Sequence, residues 1–158
     1  MAIFLKFGAV KGNSTDAKFK EQIVLESFQF GAGLSVGSSN AKGADRALSK
    51  ASVSEITVTK HSDKSSQDLF KALLTGKQDT KATISFVATA KGESVAYAVL
   101  ELTNVIVSGF SQSSGGDVPS ESLSFNFTKF DWTWNDRDAT GKATPTHLVY
   151  DLATAITS

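Results

Sequence analysis

Cysteine is absent from the chain, so the sequence excludes disulfide bonds, thiolate metal sites and a thiol nucleophile. Lysine plus arginine equals aspartate plus glutamate at 16 each, and no basic stretch is present, so we expect no nucleic acid partner. No apolar run is long enough to span a membrane, and we expect no membrane insertion. The opening residues, MAIFLKFGAVKG, place Lys6 inside a short apolar run, which predicts a strand and not a signal peptide.

The remaining composition is that of a globular chain. Its 158 residues predict a single domain over residues 1–158, and a hydrophobic content of 41% is sufficient for a core. Two prolines leave glycine and serine to mark the turns. Alternating apolar residues then predict strands at residues 3–7, 23–30, 53–60, 81–89, 94–102, 105–110, 120–136 and 147–152.

One segment has helical spacing. Leu69, Phe70, Leu73 and Leu74 form an apolar stripe, and Gly76 follows where a left-handed helix cap belongs, so the sequence predicts one helix at about residues 65–75. Many strands and one helix predict a mainly β fold, a sandwich or barrel with the helix on one side.

A glycine-rich stretch, GAGLSVGSSNAKGADRALSK, interrupts the strand pattern and predicts a long loop at residues 31–50. A loop of about 20 residues is uncommon in a compact domain and is usually functional or disordered. Its few apolar residues, Leu34, Val36 and Leu48, are candidate anchors against an adjacent subunit.

The stretch SESLSFNFTKFDWTWND carries bulky apolar groups on both faces of one predicted strand. Two sets alternate in opposite phase, and a β-bulge near Thr128 accounts for the change of phase: Leu123, Phe125 and Phe127 in the first set, and Phe130, Trp132 and Trp134 in the second. One set belongs in the core, and the other needs a second cover, either a neighbouring subunit or the helix.

Residues with catalytic or metal-binding chemistry are few. His61 and His147 lie far apart in sequence, and no nucleophile-elbow pattern surrounds any serine, so we interpret both histidines as structural. Asp136 begins a stretch like a calcium loop, but His147 stands where that loop requires glutamate, which favours a polar turn. We expect no catalytic residue, metal or cofactor, and we interpret Lys60 as a solvated charge.

The order of segments resembles the haemolysin-coregulated protein (Hcp) family, the tube subunit of the type VI secretion system. Three blocks carry the resemblance: FLKFGAVKGNSTDAKFKEQIVLESFQFG, ITVTKHSDKSSQDLFKALLTGK and LELTNVIVSGFSQSSGGDVPSESLSFNFTKFDWTW. The turn DATGK follows the third block. Together the blocks cover most of the chain.

The resemblance implies a β-barrel-like pair of packed antiparallel sheets with one flanking helix. It also implies homohexameric rings that stack into a tube, which a contractile sheath drives out of the cell behind a spike protein. Small effectors are held in the ring lumen in some members. Such a protein is not an enzyme; it is cytoplasmic during assembly and is then secreted without a signal peptide.

Strand 23–30 has one face that changes from apolar to polar, and we expect its polar end, Ser27 and Gln29, to face the ring lumen. Two other functions stay open on sequence grounds. One is a monomeric β-barrel that binds a small ligand through the aromatic residues of the second set. The other is a secreted hydrolase that uses His61 or His147.

Overall fold

The computed structural model describes residues 1–36, 51–78 and 80–158. Within this part of the chain, the elements follow one another as β1 (Ala2–Phe7), β2 (Ile23–Leu25), β3 (Ser27–Gln29), β4 (Ala32–Gly33), β5 (Ser52–Val53), β6 (Ile56–His61), α1 (Ser66–Thr75), β7 (Thr80–Ala90), β8 (Glu93–Ser113), β9 (Ser120–Asn126), β10 (Lys129–Arg137), β11 (Ala143–Asp151) and β12 (Ile156–Thr157). The mainly β prediction with one helix is confirmed.

Two antiparallel sheets pack face to face. Sheet A has the strand order β12-β11-β10-β8-β7-β1-β2, and sheet B is formed by β3, β6, β9 and the second half of β8. Sheet A ends at β2 and sheet B ends at β3, so the hydrogen bonding of the described strands does not close into a barrel. The packed pair of sheets that the sequence predicts is therefore present, with open edges.

The 21-residue strand β8 belongs to both sheets. Its residues up to Thr103 pair with β10 in sheet A, and its residues from Ile106 pair with β9 in sheet B. Between them Asn104 has a left-handed backbone, with φ at +53°. The sequence predicts two strands here because the alternation is interrupted, whereas the chain runs through as one bent strand.

Three predicted strands are each divided in two. The strand predicted at 23–30 leaves sheet A after Leu25 and enters sheet B at Ser27. The strand predicted at 120–136 likewise crosses from sheet B to sheet A, between β9 and β10. This crossing, and not a bulge, accounts for the change of phase that the sequence shows. The strand predicted at 53–60 is divided into β5 and β6.

The core lies between the sheets and beneath the helix. It is built from the inward residues of both sheets and one side of α1, among them Leu5, Phe7, Ile56, Val58, Leu69, Leu100, Val107, Leu123 and Phe125. Of the two sequence sets, the first is fully inside, since Leu123, Phe125 and Phe127 are all buried.

Helix α1 occupies the predicted position, and Gly76 adopts the predicted left-handed cap, with φ at +60°. The helix begins after Ser65, whose hydroxyl donates to Asp63 and does not cap the helix. Leu69 and Ala72 are buried, whereas Phe70 and Leu74 of the same predicted stripe remain exposed. The core of the chain therefore uses only part of this apolar stripe.

The predicted loop at 31–50 begins as secondary structure. Ala32 and Gly33 pair with Val53 and Ser52 in a two-residue antiparallel ladder, and Gly31 accepts a backbone hydrogen bond from Ser54. Residues 37–50, which include Leu48, lie outside the described residues.

Candidate functional site

The second apolar set of the sequence is only partly covered. Phe130 is buried, but Trp132 is 45% exposed and Trp134 is 48% exposed, although all three lie on one face of β10. Their neighbours across the ladder on β8, Leu100 and Ala98, are buried. The inner face of sheet A therefore extends beyond the region that sheet B covers.

The uncovered end continues across the next strand. Leu148 of β11 lies opposite Trp132 and is also exposed. Tyr97 packs edge-on against the ring of Trp134, with ring centroids 5.7 Å apart. We call Trp132, Trp134 and Leu148 the tryptophan patch. Large apolar side chains that are contiguous at a surface mark an interaction site in soluble proteins.

A groove of about 490 Å³ runs between the tryptophan patch and the start of the predicted loop. Its wall is almost wholly apolar, and it is lined by Phe28, Phe30, Gly31, Ala32, Val53, Phe86, Tyr97, Ala98, Leu100, Phe130, Trp132, Trp134 and Leu148. Ala32, at the start of the predicted loop, and Val53, just after its end, both belong to the wall.

The predicted anchors of the loop lie outside the core. Leu34 is 50% exposed and Val36 is 54% exposed. Leu48 lies outside the described residues. Leu34 and Val36 do not line the groove, and both apolar side chains are open to solvent.

Ser27 and Gln29 lie on the face of β3 that points away from the core, and both are exposed. The Ser27 hydroxyl lies 2.6 Å from the Thr59 hydroxyl of the neighbouring strand. Phe28 points the other way and packs edge-on against Phe86 of sheet A. The polar end of the predicted strand is thus solvated, whereas Ile23 and Leu25 on the same face of that predicted strand are buried, because the chain changes sheets after Leu25.

His147 does not form a catalytic triad. Its Nδ1 atom lies 3.0 Å from the Thr133 hydroxyl and 3.2 Å from an Asp131 carboxylate oxygen. In a catalytic triad the hydroxyl lies at one ring nitrogen of the histidine and the carboxylate lies at the other. The first nitrogen accepts the hydroxyl proton, and the N–H of the second donates to the carboxylate, which orients the ring. Here one nitrogen makes both contacts, so His147, Thr133 and Asp131 do not have the triad arrangement.

The second histidine contacts a carboxylate. The Nε2 atom of His61 lies 2.7 Å from a Glu26 carboxylate oxygen, and both side chains are exposed. This pair joins the end of β6 to the residue between β2 and β3. Such exposed pairs contribute little to stability, typically about 0–1 kcal/mol.

The stretch that resembles a calcium loop is a hairpin turn. One Asp138 carboxylate oxygen accepts hydrogen bonds from the backbone amides of Thr140 and Lys142, at 2.9 and 3.0 Å. The Thr140 hydroxyl and these amides hold the pKa of Asp138 below its ordinary value. Within the described residues, no group of three or more histidine, aspartate or glutamate side chains is placed to hold a metal ion.

The interpretation of Lys60 as a solvated charge is wrong. Lys60 and Glu121 are both fully buried, and their charged atoms lie 2.8 Å apart. Lys60 also contacts an Asp63 carboxylate oxygen at 3.0 Å and donates to the Ser66 hydroxyl at 3.1 Å. Lys60 follows the inward residues Ile56 and Val58 of β6 at the same spacing of two, and Glu121 stands two residues before the inward Leu123 of β9. This spacing is the sequence signal that both charged side chains point into the core.

No helix in the described parts of the chain is long and apolar enough to cross a membrane.

Comparison with known proteins identifies the family. A family model described as "Type VI secretion system effector, Hcp" matches residues 4–134. Protein hcp1 of Pseudomonas aeruginosa is 29% identical over 141 residues, which cover 88% of this chain and 86% of that protein.

Solved structures agree in fold. A structure described as a type six secretion system protein superposes with a TM-score of 0.89 at 29% identity, covering 99% of both chains. Hcp1 from Salmonella typhimurium superposes with a TM-score of 0.76 at 23% identity, covering 99% of this chain and 98% of that chain. Because the family match runs from the first strand to the second tryptophan, this chain belongs to the Hcp family of type VI secretion tube proteins.

Proposed function

We propose that this chain is the repeating subunit of a type VI secretion tube. Each copy contributes one domain, residues 1–158, and six copies close into a ring. Rings stack into a tube, a contractile sheath propels the tube behind a spike protein, and small effectors travel in the lumen. The family match supports the tube, and the uncovered tryptophan patch supports contact between copies.

The tryptophan patch carries this proposal. Burying a large apolar side chain stabilises by about 1.5–3 kcal/mol, so a surface with two half-exposed tryptophans gains from a second molecule that excludes water from it. In a closed ring each subunit offers one surface to one neighbour and a different surface to the other. The patch is suited to be one of these two surfaces.

Native mass spectrometry of purified protein tests the ring. We expect the wild-type chain to form a homohexamer and the W132E/W134E variant to remain monomeric with an unchanged circular dichroism spectrum. The matched control is F70E/L74E, which places the same charges on exposed apolar residues of α1, outside the groove. Hexamers of W132E/W134E as abundant as those of the wild type would exclude the patch from the contact.

We also propose that residues 31–50 reach an adjacent subunit or ring, with Leu34, Val36 and Leu48 as apolar anchors. The exposure of Leu34 and Val36 supports this, as does the position of Ala32 and Val53 at the groove. We expect the L34S/V36S/L48S variant to fold normally but to form fewer closed rings or fewer stacked tubes than the wild type. Electron microscopy of negatively stained particles measures both the rings and the tubes.

Ser27 and Gln29 face the channel in this proposal. The absence of cysteine allows a unique thiol to be placed at either position. The thiol of Gln29→Cys should react with a small maleimide in assembled tubes and resist a bulky one. Equal reaction with both reagents in tubes would place this face outside.

The protein acts by assembly and not by catalysis, and it leaves the cell unprocessed. The contacts of His147 support the first point, since they lack the arrangement of a catalytic triad. We expect the protein to gather in the cytoplasm when the sheath is removed genetically. The secreted form should have the mass of the intact chain, and loss of an N-terminal segment would contradict this route.

A monomeric binder of small apolar ligands is the second candidate, because the groove holds about 490 Å³ and is lined by aromatic residues. Ligand sites combine an apolar wall with a few polar groups that orient the ligand. This wall is almost wholly apolar. A monomeric native mass at high concentration, together with saturable binding of a hydrophobic dye that W132E/W134E abolishes, would favour this candidate over the tube.

A further inference from the structure

One end of the molecule gathers lysines from separate segments of the chain. Two pockets meet at the turn that follows β1, where both are lined by Ala9 and Val10. Lysines of α1 and of the residues just after it line the first pocket, and lysines of β1, the turn and the loop before β2 line the second. We call this surface the basic end, and its exposed lysines are Lys6, Lys11, Lys20, Lys64, Lys71 and Lys77.

Few carboxylates offset this charge. Of the acidic residues in the described part of the chain, only Glu21 and Asp68 line either pocket. Glu21 is paired with Lys11 at 3.0 Å. The hydrogen bond and charge of that lysine, with smaller effects of Lys64 and Lys20, hold the pKa of Glu21 below its ordinary value. The basic end therefore carries an excess of positive charge in a chain that is neutral overall.

Exposed apolar side chains adjoin the basic end on helix α1. Phe70 and Leu74 are both exposed, and the ring of Phe70 packs against Phe110 of β8, with ring centroids 5.0 Å apart. Lys71 follows Phe70 and lies about one helical turn before Leu74, so the helix presents a cation beside two apolar groups. Exposed apolar side chains flanked by lysines are typical of helices that lie at the surface of a membrane.

We propose that the basic end and the exposed side of α1 together dock on an anionic lipid surface. The lysines contact headgroup phosphates, and Phe70 and Leu74 enter the boundary between headgroups and acyl chains. The contact is peripheral and needs no spanning segment. Lysine is a point charge on a flexible stem, which suits the variable phosphate positions of a fluid surface. An acidic peptide or a nucleic acid would use the lysines without covering Leu74, so the apolar pair favours lipid.

Sedimentation with lipid vesicles tests the proposal. The full chain should bind vesicles of phosphatidylcholine mixed with phosphatidylglycerol and should not bind phosphatidylcholine alone. Added sodium chloride should release it, because salt screens exposed charges. Protein that stays in the supernatant with anionic vesicles at low salt would overturn the proposal, and so would equal binding to both kinds of vesicle.

Lysine variants locate the charged part of the contact. K71Q/K77Q should weaken binding to anionic vesicles about thirtyfold, because each lysine near an anionic surface adds to the attraction. The matched control is K129Q/K142Q, which removes two exposed lysines that line neither pocket and should bind as the wild type does. Equal binding by these two variants would overturn the assignment.

Apolar variants test the contribution of the helix. F70S/L74S should weaken binding about tenfold, since it removes the side chains that enter the boundary region. The matched control is V118S/I156S, which changes two exposed apolar residues of other segments and should leave binding unchanged. If F70S/L74S binds as tightly as its control, the contact is with charge alone and the lipid assignment fails.

Competitors separate lipid headgroups from other anions. Inorganic phosphate should release the protein from vesicles no better than sodium chloride of equal ionic strength. Stronger release would assign the lysines to free phosphate and overturn the lipid surface. A polyglutamate peptide or an RNA that binds the protein when anionic vesicles do not would overturn it as well.

Native mass spectra of the same samples separate this inference from the proposed tube. The basic end is formed within one chain, so vesicle binding is measurable whether or not rings form. Monomeric protein that binds anionic vesicles would contradict the ring and retain the lipid surface. Hexamers that bind no vesicles would retain the ring and refute the lipid surface.

Discussion

The Nζ atom of Lys60 lies 2.8 Å from an Oε2 atom of Glu121, and neither side chain is accessible to solvent. The pair links β6 to β9, and the Ser66 hydroxyl ties the same lysine to the first residue of α1. The other Glu121 oxygen accepts from the Ser62 hydroxyl at 2.6 Å and from the Gln112 amide at 3.1 Å. Every charge of this network therefore has a partner inside the protein.

Removal of one partner should destabilise the fold strongly. K60M leaves the Glu121 carboxylate buried without its counter-charge, and the expected loss is about 3–5 kcal/mol of unfolding free energy. K60M/E121L should recover most of that loss, because Ser62 and Gln112 still bond to each other at 2.8 Å. Urea unfolding measures both variants.

The control for this pair is an exposed one. Lys11 and Glu21 lie 3.0 Å apart at the surface, and K11A should cost less than about 1 kcal/mol. A double variant K60M/E121L that is as unstable as K60M alone would show that the loss does not come from the unpaired Glu121 charge.

Acid should weaken the fold through Glu121. Burial raises the pKa of Glu121, but hydrogen bonds from Lys60, Ser62 and Ser66 together hold it below its ordinary value. A lowered folded-state pKa stabilises the protein above the unfolded-state pKa of about 4.3, and this stabilisation is lost as pH falls through the folded-state value. E121Q, which has no such proton to bind, should lose less stability than the wild type on acidification. Urea unfolding across the acid range measures both proteins. If the urea midpoints of the wild type and E121Q fall in parallel as pH is lowered, the prediction is contradicted.

Gly12 should not tolerate a side chain. Its amide donates to the Glu21 carbonyl at 2.8 Å, and a Cβ atom added at Gly12 would lie 2.5 Å from both the Gln22 carbonyl oxygen and the Ile23 Cα atom. Because both obstacles are backbone, G12A must displace the start of β2, at an expected cost of about 1–3 kcal/mol. G115A is the control, since nothing lies within 4 Å of its added Cβ. Thermal unfolding compares them, and equal melting temperatures would contradict the prediction.

Tryptophan emission should report assembly directly. The chain contains two tryptophans, Trp132 and Trp134, and both lie about half-exposed in the patch. Assembly that covers the patch should shift their emission to shorter wavelengths, and dilution below the assembly concentration should reverse the shift. W132F and W134F show which indole responds. Rings that form with no spectral change would place the patch away from the contact.

The sequence by itself determined the features that depend on neighbouring residues. Alternation identifies the strands and their apolar faces, as in Ile3 to Phe7, because side chains of a strand point to opposite sides at every second residue. Leu69, Phe70 and Gly76 predict the helix and its end through the same kind of local rule. The resemblance of ordered segments to the Hcp family also lies in the sequence, and the family match confirms it.

Tertiary structure alone decided which distant residues meet. Lys60 and Glu121 are separated by 61 positions. The alternation of apolar residues in each strand shows that both side chains point inward, but it does not show that they pair with each other. The tryptophan patch likewise depends on the tertiary structure, because it exists only where sheet B stops short of the end of sheet A. Strand alternation is a property of one segment, whereas pairing and coverage depend on how far-separated segments share one core, and no local pattern encodes that.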